Sequence, residues 1–166
     1  MTSLKLSNSA SVVTSTHFLI GSQELQEALS HTAQQQAQAA EQAIHEALSE
    51  LEELRHLEVD WDSYGGNPPT AQALIAGEVL LKSVQLALGR YAGSRLAPEY
   101  IAPRADGGIH IEWGHRPLKV SIQVTASAGF AYLVVSWKNG IRDPREKSDV
   151  SLDEVIQEIA RVVLES

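Results

Sequence analysis

The chain has 166 residues, 13 Lys and Arg against 21 Asp and Glu, no cysteine, and few aromatics: three Trp, four Tyr and two Phe. That length fits one domain, or one small domain with an appendage. The missing cysteines exclude a disulfide scaffold, a thiolate zinc site and a thiol nucleophile within this chain, and a net charge of −8 argues against broad binding of a phosphate backbone.

Residues 1–21 read as a loose Ser/Thr-rich start followed by a β-prone stretch around Val12–Ile20. From Ser22 the text turns helical. Ser22 is a capping residue, Glu24 and Glu27 suit the first turns, and no Gly or Pro interrupts Gln23 to Trp61. Ala37, Ala40, Ile44, Ala47, Leu51 and Leu54 recur at spacings of three and four, the seam of a helix that meets a partner. A helix over residues 22–57 outruns a compact domain of this size. It is therefore expected to protrude, or to break near Thr32, and a protruding arm would self-associate through that seam.

Asp60 to Pro69 is a turn-rich connector, and its prolines end the preceding helix. Thr70 then caps a second helix, rich in Leu and Val around its circumference, that stops near Gly89–Gly93. From Pro98 the period becomes two. Tyr100–Pro103 suits an edge strand, Ile109–Trp113 and Leu118–Val124 alternate apolar with polar, and Phe130–Trp137 is a further strand. Lys138–Asp149 reads as a polar loop, and Ser151-x-x-Glu154 is a capping box opening a last amphipathic helix. The expected class is α+β: a three- to four-stranded antiparallel meander covered by helices, with a long N-terminal helix. Its divisions are 1–21, the helix 22–57, and a compact domain over 58–166. No apolar run approaches the about 20 residues of a membrane span, and a cytoplasmic protein is expected.

Three groups of residues invite chemistry. His110, Glu112 and His115 gather two imidazoles and a carboxylate at one strand end, a weak candidate for zinc or for acid–base work. Asp60-x-Asp62 begins like a calcium loop, but Tyr64 and Ala71 stand where further oxygen ligands are needed, so no metal is expected there. Asp60, Trp61, Asp62, Tyr64 and Trp113 are instead candidate binding residues, Trp and Tyr being favoured anchors of interfaces. The basic residues between Lys138 and Lys147 are diluted by Asp143, Glu146 and Asp149, which speaks against a nucleic-acid footprint.

Two motifs are familiar together. Trp61-Asp62-Ser63-Tyr64-Gly65-Gly66-Asn67-Pro68 and Asp106-Gly107-Gly108-Ile109-His110-Ile111-Glu112-Trp113 resemble a W-D-x-Y-G-x-x-P connector and a D-G-G-I-x-x-E-W strand shared by a family of small bacterial proteins without an assigned activity. The likeness covers about Leu51 to Trp137. It implies that both motifs belong to one domain, and it implies no catalytic residues and no cofactor. The family's occurrence among accessory, mobile-element and toxin–antitoxin-type genes implies a partner-binding role. The combined expectation is a non-catalytic interaction or regulatory protein, antitoxin-like or an accessory of a defence system. Its partner would be a protein, basic enough to complement the acidic first hundred residues. The alternative is a small metal-dependent hydrolase using His110 and Glu112.

Overall fold

The computed structural model describes residues 13–114 and 116–165, with side chains from residue 23 onward. The chain divides into two compact units, Met1–Gln34 and Gln35–Ser166. Helix α1 runs unbroken over Val13–Glu53 and ends in a short 3-10 turn, Leu54–His56. It thus begins well before Ser22 and passes through Thr32, so Ser22 is no cap and the stretch from Val13 to Ile20 is helical rather than β. The low helix propensity of β-branched residues costs only tenths of a kcal/mol each, too little to stop the helix.

The remaining elements belong to the second unit. Helix α2 (Ala71–Ala92) precedes five strands, β1 (Tyr100–Pro103), β2 (Ile109–Trp113), β3 (Leu118–Val124), β4 (Phe130–Lys138) and β5 (Ile141–Val150), and helix α3 (Leu152–Glu165) ends the chain. The strands form one antiparallel meander in sequence order. Directly paired residues share a face. The pairs Ile109↔Val124, Ile111↔Ile122, Trp113↔Val120 and Val120↔Val134 therefore make one apolar face. These side chains are buried together with Leu80, Leu81 and Val84 of α2 and Val155, Ile159 and Val162 of α3.

The seam of α1 is buried in this same core. Ala40, Ile44, Ala47 and Leu51 are covered by their own chain, and Leu54 packs against the cluster. Gly77 and Gly89 of α2 let α1 come close: a methyl group added at Gly77 would stand 3.3 Å from Leu51, and one at Gly89 3.5 Å from Ala40. This corrects the expectation that Ala37, Ala40, Ile44, Ala47, Leu51 and Leu54 form a self-association surface. The compact unit accordingly starts at Gln35 rather than at residue 58. Helix α2 is not buried all round either: Ile75, Val79, Leu86 and Tyr91 are exposed. Among the described residues, Ala71–Leu96 is the segment whose length and composition would suit a membrane span, and it supplies the centre of the core.

The segment expected as a polar loop is strand β5. Asn139 and Gly140 both have positive φ, 52° and 80°, and link Lys138 to Ile141 as a two-residue hairpin turn whose twist matches that of the strands. Nine of the ten residues of β5 are exposed. The ladder with β4 holds the strand, and charge adds to it: Arg145 donates to both carboxylate oxygens of Glu158 at 2.6 Å, and Lys147 meets Glu154, both acids projecting from α3. Between the pairs Phe130↔Val150 and Ala131↔Ser148, Asp149 is an extra residue with φ 53°, a bulge that turns Val150 into the core. The capping box then opens α3, with Ser151 N–H on Glu154 Oε2 at 3.0 Å and Glu154 N–H on Ser151 Oγ at 3.3 Å.

Candidate functional site

The connector folds upon itself. Asp60 N–H donates to the Gly66 carbonyl at 2.8 Å, and Asp60 Oδ1 accepts from Gly65 N–H at 2.7 Å. Asp62 Oδ1 accepts from the N–H groups of Tyr64 and Gly66, each at 2.9 Å. Those two amides, Tyr64 first, hold the Asp62 carboxyl below its ordinary range. Short acidic side chains bonding their own backbone a few residues on are what turns of this kind use. Asp60 and Ser63 adopt φ of 67° and 61°, and Gly65 one of 87°, a conformation that only glycine takes without strain. The indole of Trp61 lies across the loop, with Nε1–H on the Asn67 carbonyl at 3.1 Å. Tyr64 is left at the tip, 93% exposed.

The two motifs meet in space. Asn67 N–H donates to the Ala105 carbonyl and Thr70 N–H to the Gly107 carbonyl, both at 3.0 Å, and Asn67 and Asp106 form a parallel bridge. Asp106 fixes its own turn by accepting from Gly108 N–H at 3.0 Å and pairing with Arg104 at 2.8 Å. Thr70 completes the joint: its hydroxyl accepts from Ala73 N–H at 3.0 Å as the α2 cap and donates to the Ala126 carbonyl at 2.6 Å. The connector is thereby tied to the end of the sheet by backbone bonds.

Glu112 and His110 lie on the polar face of β2. Glu112 Oε2 is 3.3 Å from His110 Nε2 and 2.9 Å from the donating Ser121 hydroxyl, while Oε1 pairs with Lys119 at 2.6 Å. The Tyr100 ring stands edge-on to His110, with centroids 6.0 Å apart. Partial burial raises the Glu112 carboxyl, but the hydrogen bonds from Lys119, Ser121 and His110 together outweigh it, and the group is held below its ordinary range. A carboxylate fixed as an anion by three donors makes a poor proton shuttle near neutral pH. Among the described residues, no three His, Cys, Asp or Glu side chains are placed to hold a metal ion. His115 lies outside the described residues.

Of the other expected binding residues, Trp113 is corrected. It is 0% exposed on the apolar face of β2, and its Nε1–H donates to the Leu96 carbonyl at 2.9 Å, so it anchors the 3-10 turn after α2 (Gly93–Leu96) to the sheet. Asp60, Trp61, Asp62 and Tyr64 do lie together. The residues that sequence reasoning missed are Arg145 and Arg161, which converge on Glu158 from a strand and from α3. The i,i+3 spacing of Glu158 and Arg161 was readable, but nothing in the sequence pairs Arg145 with α3 once β5 is read as a loop. No family model, curated protein or solved structure matches the chain.

Proposed function

We propose that the chain is a non-catalytic regulatory protein of the cytoplasm that recognises a basic protein partner through the connector, with Tyr64 as the anchor. One observation carries this reading: a loop closed by its own carboxylates displays a tyrosine that is 93% exposed. A large side chain held on a pre-ordered loop loses little conformational freedom when a partner covers it, and Tyr is favoured at the centre of interfaces. The surroundings select the sign of the partner. Glu58 and Asp60, a few residues before Tyr64 in the chain, are exposed, the Asp62 carboxyl is held below its ordinary range by its two amides, and Arg55 is the lone cation between Glu50 and Asp62. Acidic collars of this kind steer and select basic surfaces, as inhibitors and antitoxins do.

The test places a photo-crosslinking amino acid at position 64, and in a second protein at exposed Gln72, and irradiates both in source cells. One discrete adduct to a basic protein from position 64, absent from position 72, is expected. Purified Tyr64→Ala should then bind that protein at least about tenfold more weakly, the loss typical of an interface anchor. No adduct, or equal binding by Tyr64→Ala, overturns the reading.

A further inference from the structure

Helix α2 turns one side to the core, where Leu80 and Val84 are buried, and leaves another side bare. Ile75, Val79 and Leu86 follow at spacings of four and seven, which sets them on one line along the helix. They are 57, 45 and 90% exposed. Single exposed apolar residues are ordinary, but three on one line make a continuous patch, and such patches mark contact sites. One ion pair runs along the patch, Lys82 Nζ to Glu78 Oε1 at 2.5 Å, with both side chains well exposed. Between Ile75 and Leu86 no other residue is charged.

The stripe is therefore electrically neutral, with its acid and its base one turn apart. A uniformly basic or acidic partner meets one matching charge there and one opposing charge. A second copy lying antiparallel meets matching charges alone. We propose that this face is covered by a second copy of the chain, two α2 helices packing antiparallel about a two-fold axis. The sequence sets the register: Ile75 of one copy lies against Leu86 of the other, and Val79 against the apolar stem of Lys82. Glu78 then stands one residue, about 1.5 Å along the helix axis, from Lys82 of the other copy. The two-fold repeats every contact, so both ends of the stripe are covered and two ion pairs cross the interface. The face shares no residue with the connector, so it stands or falls apart from the partner reading.

Three apolar side chains from each copy make a small interface, and a dissociation constant on the order of 10 µM is expected. Sedimentation equilibrium of the full chain should show a reversible monomer–dimer exchange in that range. Leu86→Glu, with its fold checked by circular dichroism, should dimerise at least about tenfold more weakly. Glu78→Lys should also weaken the dimer, and adding Lys82→Glu should restore it, because the exchanged charges face each other again. The chain has no cysteine of its own, so single cysteines report the register. Ile75→Cys mixed with Leu86→Cys should be joined by a bismaleimide too short to span the about 16 Å between like positions of the two copies. Neither variant alone should cross-link. A chain that stays monomeric into the millimolar range overturns the proposal. So does a dimer that Leu86→Glu leaves intact, a charge exchange that restores nothing, or equal cross-linking by either variant alone.

Discussion

Three donors converge on Glu112, from Lys119, Ser121 and His110, and its side chain is 18% exposed. Its carboxyl is held below the ordinary range in the fold, so the unfolded chain binds its proton more readily. The stability that follows is fully present above the unfolded-state value and is lost as pH falls through the folded-state value. Glu112→Gln should therefore lower stability by about 1–2 kcal/mol at pH 7, the scale of hydrogen bonds to a charged group on a partly wet surface. The deficit should shrink on acidification, because the wild-type side chain then becomes uncharged as well. Urea titrations across the acid range check this, and a deficit independent of pH would show that the charge is not its source. The adjacent Trp113 shows what one residue's shift along a strand does. Alternation with Ile109 and Ile111 already assigns it to the apolar face, so its burial was legible; its size drew it into the binding set against that pattern.

At the scale of elements, α1 and β5 show what was legible and what was not. The three-four spacing from Ala40 to Leu54 marks a helical face packed into the core, with Ala37 only half-buried outside it, but spacing does not say whether the covering surface lies in the same chain. Two glycines of α2, Gly77 and Gly89, let that surface approach, and glycines inside a helix do not declare which neighbour they admit. For β5 the signal was present in Asn139-Gly140. It was outweighed by Pro144 and the charges, which suit an edge strand held by α3 just as well as a loop. The intrachain role of the seam has a direct consequence. Ile44 is 1% exposed, so Ile44→Lys should lower stability by more than about 3 kcal/mol or abolish folding, as a charge in a close-packed core does. Leu25→Lys, at a position 61% exposed, should stay within about 0.5 kcal/mol of wild type. Urea unfolding with light scattering separates the outcomes: a folded Ile44→Lys with a halved mass would return the seam to an interface between copies.

For the whole molecule, the class of fold was legible because each element of the second unit carries its own local signature: the Thr70 cap, the period-two strands, the capping box of α3. The extent of the unit was not, since one unbroken helix runs from Val13 to Glu53 through the boundary at Gln34 and a helix carries no mark where its packing begins. Among the described residues, every member of the buried core lies between Ala40 and Val163, while Leu25 and Leu29 are exposed. A chain cut to residues 35–166 therefore keeps the whole of that described core and both motifs. Cutting there gives α1 a new N-terminus one turn before Ala40, where fraying of the first turn touches Gln36 against Gly93 and costs no more than about 1 kcal/mol, the scale of a missing cap. The fragment should unfold in one cooperative urea transition, with a stability within that margin of the full chain. A fragment without such a transition would mean that the first 34 residues supply folding free energy that the buried core of the second unit does not contain.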